Sequence, residues 1–209
     1  MRTKVTKSKK QHKTYQAVDV AKIAVEDTAT QKKLISKLFR QIMEVLWLDL
    51  SDDSLIGTPD RVAKMYVDEL FWWLRAENFP KIMTVQNKMD YDQMLVERNI
   101  KVNSACEHHR ITINGVAHVA YIPKDKIIGL SKLNRIVDYY SRRPQIQERL
   151  TAQIHSKLVE LLWTEDVAVI VDAVHFCVVT RGIKDVNSST VTSKLWGIFR
   201  KDKAEEKSF

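Results

Sequence analysis

From Thr28 onward the apolar positions recur at helical spacing. Leu34, Leu38 and Ile42 form one row, with Ile35, Phe39, Met43 and Leu46 beside it. That i, i+4 stripe is the mark of an amphipathic helix. Ser51-Asp52-Asp53-Ser54 interrupts it. A second helix is expected from Thr58-Pro59, since Thr58 can cap and Pro59 suits the first turn. Val62, Met65, Tyr66 and Leu70 follow at helical spacing.

The period then changes. Ile100 to Ala105 reads as a strand. Ile111 to Ile113 and Val116 to Ile122 read as two strands flanking Asn114-Gly115, a tight-hairpin signal. A helix is expected over Ser131 to Ser141. Another opens at Pro144 and runs to about Trp163, with Ile146, Leu150, Ile154, Leu158 and Leu161 as its apolar stripe. Val167 to Ala173 is a mostly apolar strand, Val174 to Thr180 its expected antiparallel neighbour, and Val191 to Phe199 a last strand. This order predicts an α+β fold: an antiparallel sheet with two helices on one face, behind an N-terminal helical region. The expected division is a basic tail over 1–26, a helical region over 27–95 and a catalytic domain over 96–209.

Composition adds limits. A chain of 209 residues with 44% hydrophobic and 29% charged residues is ordinary for a soluble domain. No apolar run approaches the ~20 residues of a membrane span, and no signal-peptide core is visible. Two cysteines make no disulfide framework, which fits a cytoplasmic protein. The net charge of +8 invites a nucleic-acid reading, but Arg2, Lys4, Lys7, Lys9, Lys10 and Lys13 carry most of it, with no acidic residue before Asp19. The basicity belongs to the tail, and a solvated leader accounts for it better than a nucleic-acid contact.

The chemistry concentrates in two short segments. Cys106-Glu107-His108-His109 and His175-Phe176-Cys177 hold both cysteines and three of the six histidines. A zinc ion favours about four thiolate or imidazole ligands. The C-x-x-H spacing of Cys106 and His109 lets one turn offer two ligands. His175 and Cys177, two apart in an expected strand, would share a face. With Cys177 as third ligand, one position stays open, as in a catalytic rather than a closed structural site. His108 and His175 are then candidates for proton transfer. Two plainer readings stand beside this one: a buried cysteine as a small hydrophobe, and a structural Cys₂His₂ zinc.

Lys132 and Arg135 follow Ser131 at an expected helix start, where anions are favoured. Arg142, Arg143 and Arg181 add positive charge, and Arg61 and Lys64 are three apart on the second helix. Such residues could hold a polyphosphate, or be a solvated face. Glu148, after Gln147, could accept two N–H bonds from a guanine edge, or be a surface carboxylate.

These segments, in order, resemble the GTP cyclohydrolase I family. The matching stretches are Thr58-Pro59-Asp60-Arg61-Val62-Ala63-Lys64-Met65-Tyr66, Ser104-Ala105-Cys106-Glu107-His108-His109 and Gly129-Leu130-Ser131-Lys132-Leu133-Asn134-Arg135-Ile136-Val137. They continue with Gln145-Ile146-Gln147-Glu148-Arg149-Leu150-Thr151 and Ala173-Val174-His175-Phe176-Cys177 through Arg181-Gly182.

The resemblance implies a tunnelling fold (T-fold), with a four-stranded antiparallel sheet and two helices. It also implies zinc-dependent hydrolysis and rearrangement of GTP to 7,8-dihydroneopterin triphosphate and formate, the first step toward tetrahydrofolate and other pterins. Assembly would be a homodecamer with active sites between subunits. Carried over residue by residue, Cys106, His109 and Cys177 correspond to the Zn²⁺ ligands and His108 and His175 to the catalytic histidines. Gln147 and Glu148 correspond to the purine-binding pair. Ser131, Lys132, Arg135 and Arg181 would line the triphosphate and ribose end, with Ser131 assisting catalysis. Arg61 and Lys64 would reach the phosphates from a neighbouring subunit. Arg110 stands where the family usually has a large apolar residue, and Trp196 where it commonly has a small one. The chain stops ten residues after Phe199, where relatives often continue as a helix. The competing readings are a zinc enzyme of the same fold acting on another purine or pterin, and a non-catalytic zinc-binding module.

Overall fold

The computed structural model describes residues 27–201; the expected basic tail over 1–26 and the last residues of the chain lie outside this range. The first helix, α1, spans Thr28–Val45, and the Asp27 side chain caps it by accepting from the Thr30 N–H at 2.8 Å. Its apolar row is not the core face it promised to be. Leu34, Leu38 and Ile42 are exposed, and only Met43 of α1 is buried. The second helix, α2, spans Thr58–Lys64 with Pro59 in its first turn. The chain continues over Met65–Leu70 as a widened turn, with the Phe71 N–H donating to the Tyr66 carbonyl at 3.0 Å. An ion pair at 3.0 Å between Lys32 and Asp68 ties this turn back to α1.

The main sheet is built from β2 (Leu95–Cys106), β3 (Thr112–Tyr121), β6 (Val167–His175) and β7 (Thr190–Leu195), all antiparallel to their neighbours in that order. A short β5 (Pro144–Gln145) adds parallel to β2 at Ala105 and Cys106. A separate pair joins β1 (Thr84–Gln86) to β4 (Lys126–Ile128). Two helices, α3 (Leu130–Ser141) and α4 (Gln147–Leu162), cover one face. Their Leu133, Ile136, Val137, Leu150, Ile154, Leu158 and Leu162 pack on Val102, Ile113, Ala117, Val119, Val167, Val169 and Val171 in one apolar core. The other face carries a smaller cluster around Ala120, Ala168 and Phe199. Among the described residues no helix is long and apolar enough to cross a membrane.

Four local expectations are corrected. Asn114-Gly115 is not a turn: it lies inside β3, opposite Asn103 and Val102 of β2. The connection runs through residues 107–111, closed by the Cys106 N–H to the Ile111 carbonyl at 2.8 Å, with Arg110 at φ 57°. Gly115 is there because β6 comes too close for a side chain: a Cβ would collide with the Asp172 carbonyl and the Ala173 backbone. Pro144 does not open a helix, because Pro144 and Gln145 extend beside β2 and α4 starts at Gln147. Val174 to Thr180 is not a second strand. β6 continues to His175 and the chain then coils into a helical turn, α5 (Phe176–Val179). His175 and Cys177 therefore do not share a strand face. The last strand ends at Leu195, since Gly197 at φ 62° leads into α6 (Ile198–Lys201).

Candidate functional site

Strand register decides which residues meet. Cys106 is the buried last residue of β2. The tight turn after it carries His108 and His109, with the Arg110 N–H donating back to the Cys106 carbonyl at 2.9 Å. β6 runs parallel in direction to β2, two strands away, so its end at His175 reaches the same end of the sheet. The α5 turn then swings Cys177 back toward Cys106. One donor atom each from Cys106, His109 and Cys177 lies within 4.8 Å of the others. The Cys106 Sγ stands 3.6 Å from His109 Nδ1 and 3.8 Å from His108 Nδ1. Burial, with the adjoining Cys106 thiol next in weight, pushes the Cys177 thiol up. Two soft sulfurs and one imidazole gathered at this spacing fit a zinc-type ion.

The purine-facing candidates stand beside this cluster. His175 Nε2 lies 2.7 Å from Gln147 Oε1, at the first residue of α4. Burial pulls the His175 imidazole below its ordinary value, and the Glu148 carboxylate opposes that shift. Glu148 is exposed in the first turn of α4. An Arg181 guanidinium nitrogen lies 2.8 Å from His109 Nε2. The Cys106, His109 and Cys177 donors, His108, His175, Glu148 and Arg181 thus share one end of the sheet.

Ser131, Lys132 and Arg135 do not join them within one chain. They sit in the first half of α3, where Asn134 donates to Glu97 Oε1 at 3.3 Å. Glu97 lies near the start of β2, nine residues before Cys106; at ~3.3 Å per residue the two ends are roughly 30 Å apart. Past the far end of α4, Trp163 stacks under the Lys126 ammonium of β4 at 3.2 Å, which fixes the same polarity. Arg61 and Lys64 are elsewhere again, on α2, which packs mainly on α1 and the widened turn; Arg61 donates to the Ser54 carbonyl at 3.3 Å.

A family model for GTP cyclohydrolase I matches residues 35–209. The curated GTP cyclohydrolase 1 of Citrobacter koseri is 55% identical over 88% of this chain and 82% of its own length. Those of Enterobacter sp. and Salmonella arizonae are 54% identical over the same shares. The chain belongs to the GTP cyclohydrolase I family.

GTP cyclohydrolase I is a hydrolase family, and the α+β arrangement described above is its tunnelling fold. Among solved structures, the archaeosine synthase QueF-Like in its apo form aligns with 50% of this chain and 93% of its own at 16% identity, with a TM-score of 0.42. Arg110 and Trp196 have local partners. The Arg110 guanidinium lies 5.9 Å from the Phe71 ring centroid, and the Lys194 ammonium and Arg200 guanidinium lie 5.7 and 5.5 Å from the Trp196 ring centroid.

One pair escaped sequence reasoning. Arg149, buried in the first turn of α4, donates to the Glu107 carboxylate. It also donates to Gln145 Oε1 at 2.9 Å. The available signal was Glu107 itself, the one residue of the Cys-Glu-His-His turn without a role, which needs a cation once that turn is folded inward.

Proposed function

We propose that this chain hydrolyses GTP to formate and 7,8-dihydroneopterin triphosphate, with Zn²⁺ held by Cys106, His109 and Cys177. The observation that carries the reading is the meeting of those three soft donors with His175 and Glu148 at one end of the sheet. When bound, the ion would supply Lewis acidity, making water a nucleophile near neutral pH. Ring opening at C8 gives a formamide, and its hydrolysis releases formate. Two waters enter in these steps and one leaves when the opened ribose closes the new ring.

The chain's own residues do the rest. Glu148, exposed at the start of α4, accepts the N–H groups of the guanine edge, so that the same C8 always faces the metal. His175 delivers a proton to N7, which makes C8 more electrophilic. His108, exposed beside the Cys106 sulfur, moves protons at the ribose, with Ser131 assisting. Arg181 beside the metal, and Lys132 and Arg135 at the start of α3, hold the triphosphate and supply mainly binding energy. Arg61 and Lys64 reach the phosphates from a third position.

The reading requires more than one subunit. The placement of the start of α3 beside Glu97, at the opposite end of β2 from Cys106, supports a site completed by a neighbour. The uncovered apolar row of α1 supports the homodecamer that the family resemblance implies. A cytoplasmic location belongs to the same proposal. The test is direct: formate and dihydroneopterin triphosphate are measured from GTP with purified protein, before and after chelation. Both products should appear and be lost with the metal. Activity that survives metal removal would overturn the zinc role, and a folded, metal-loaded protein without formate release would overturn the substrate.

A further inference from the structure

Both polar atoms of the Gln147 side chain are engaged within the fold. Its side chain is 2% exposed, at the point where α4 docks on β6 and β7. Nε2 lies 2.9 Å from the Val171 carbonyl and 2.6 Å from the Thr190 carbonyl. Both are acceptors only, so the amide must present its two N–H bonds to them. That fixes the flip of the side chain by the identity of its partners. Oε1 is then the atom at 2.7 Å from His175 Nε2. An amide oxygen only accepts, so His175 Nε2 must carry a hydrogen. Among the described residues, His175 Nδ1 makes no hydrogen bond.

We infer that Gln147 is a positioning residue that keeps the hydrogen on His175 Nε2 and leaves Nδ1 as the atom that takes a proton from solvent and passes it to substrate. This rests on the proposed role of His175 in GTP hydrolysis and reassigns Gln147 within it. The strap explains why the residue is glutamine. Leucine would fill the space without orienting the ring. Glutamate would accept from His175 but could not donate to the two strand carbonyls. Asparagine is one methylene too short to span from α4 to both strands and the imidazole. The device is the general one in which a fixed outer partner selects the tautomer of a working histidine.

The test has two arms. In the first, ¹⁵N-histidine-labelled wild-type protein is studied by solid-state NMR, with His175 assigned from the signals lost in His175→Asn. A protonated Nε2 and a pyridine-type Nδ1 are expected; the opposite tautomer overturns the inference. This arm needs neither turnover nor a Gln147 variant that folds. In the second, Gln147→Leu is compared with wild type for kcat and KM on GTP, at equal metal content. The expected result is a fall in kcat of about 100-fold, the scale of a mispositioned acid–base group, with KM changed less than about 3-fold, and a mixed His175 tautomer in the spectrum. A raised KM with unchanged kcat would return Gln147 to purine contact. If the wild-type protein releases no formate from GTP, the functional reading fails on its own, while the tautomer assignment still stands or falls by the spectrum.

Discussion

The buried Arg149 donates to one oxygen of the Glu107 carboxylate, while the other oxygen lies 3.8 Å from His108 Nε2. This ion pair bolts the turn from Cys106 to His109 to the helix that carries Glu148. The pair is embedded in further bonds, because Gln145 accepts from Arg149 and donates to the Tyr140 carbonyl at 2.9 Å and to Gln153 Oε1 at 2.8 Å. Removing one member leaves the other charged and poorly hydrated, which costs ~3 kcal/mol or more. Arg149→Met should therefore lower folding stability by about that amount and reduce metal content. Arg149→Lys should recover only part, since it lacks the Nε–H that reaches Gln145. In the double variant Glu107→Gln with Arg149→Met the loss should be smaller than the sum of the singles. Denaturant melts and metal analysis of wild type and the four variants, Glu107→Gln alone included, check this; strict additivity would show that the two side chains do not interact.

Gly115 marks a packing limit beside the site. It faces Ala173 across the β3–β6 ladder, two residues before His175. An added methyl would meet the backbone of β6, which cannot rotate away as a side chain would. Gly115→Ala should cost ~1–3 kcal/mol, the range for overpacking a tight interior. It should also lower activity by shifting His175. A stable variant with full activity would show that the strands can part without consequence.

How much of this was legible in the sequence depends on whether the cause was local. The helix that begins at Thr28 and the turn that brings His109 back to Cys106 were readable, because periodicity and C-x-x-H spacing act within one or two turns. Asn114-Gly115 misled for the opposite reason. Its glycine answers to the approach of Asp172, nearly sixty residues away in sequence, and not to a turn. Val174 to Thr180 was ambiguous because a short apolar run suits a strand or a helical turn equally. Gln147 was named beside Glu148 through the family motif. Its commitment to Val171, Thr190 and His175 exists only once α4 is seated on β6 and β7. The separation of Lys132 from Cys106 likewise follows from helix direction and strand register, which no single segment encodes.

Tyr140 gives the fold an alkaline limit. Burial pushes its phenol up to about 12, against the partial opposition of the Arg143 guanidinium. The folded state thus holds the proton more tightly than the unfolded chain, whose tyrosines ionise near 10. The contribution is fully present below about pH 10 and is lost as the pH rises through about 12. Two units correspond to ~2–3 kcal/mol across that window. Tyr140→Phe removes the titration, so its stability should fall less steeply between pH 10 and 12 than that of wild type. Other tyrosines and lysines titrate in both proteins, so the difference between their denaturation curves isolates Tyr140. Parallel curves would sink the assignment.

The distance between Cys106 and Arg135 makes a prediction that neither residue makes alone. Cys106→Ser should destroy the metal end of its own chain and leave the α3 end intact. Arg135→Ala should do the reverse. If each site joins the metal end of one subunit to the α3 end of another, co-assembly of two inactive variants must create some interfaces with two intact halves. Random mixing in equal amounts in a head-to-tail ring gives about a quarter of the sites that combination, and so about a quarter of wild-type formate release. The variants should be mixed by co-expression, so that chains exchange before assembly, and purified through a tag on each. Hybrids as inactive as their parents, with both chains present in one particle, would mean that each subunit completes its own site. The α3 basic residues would then serve something other than the site at Cys106, His109 and Cys177.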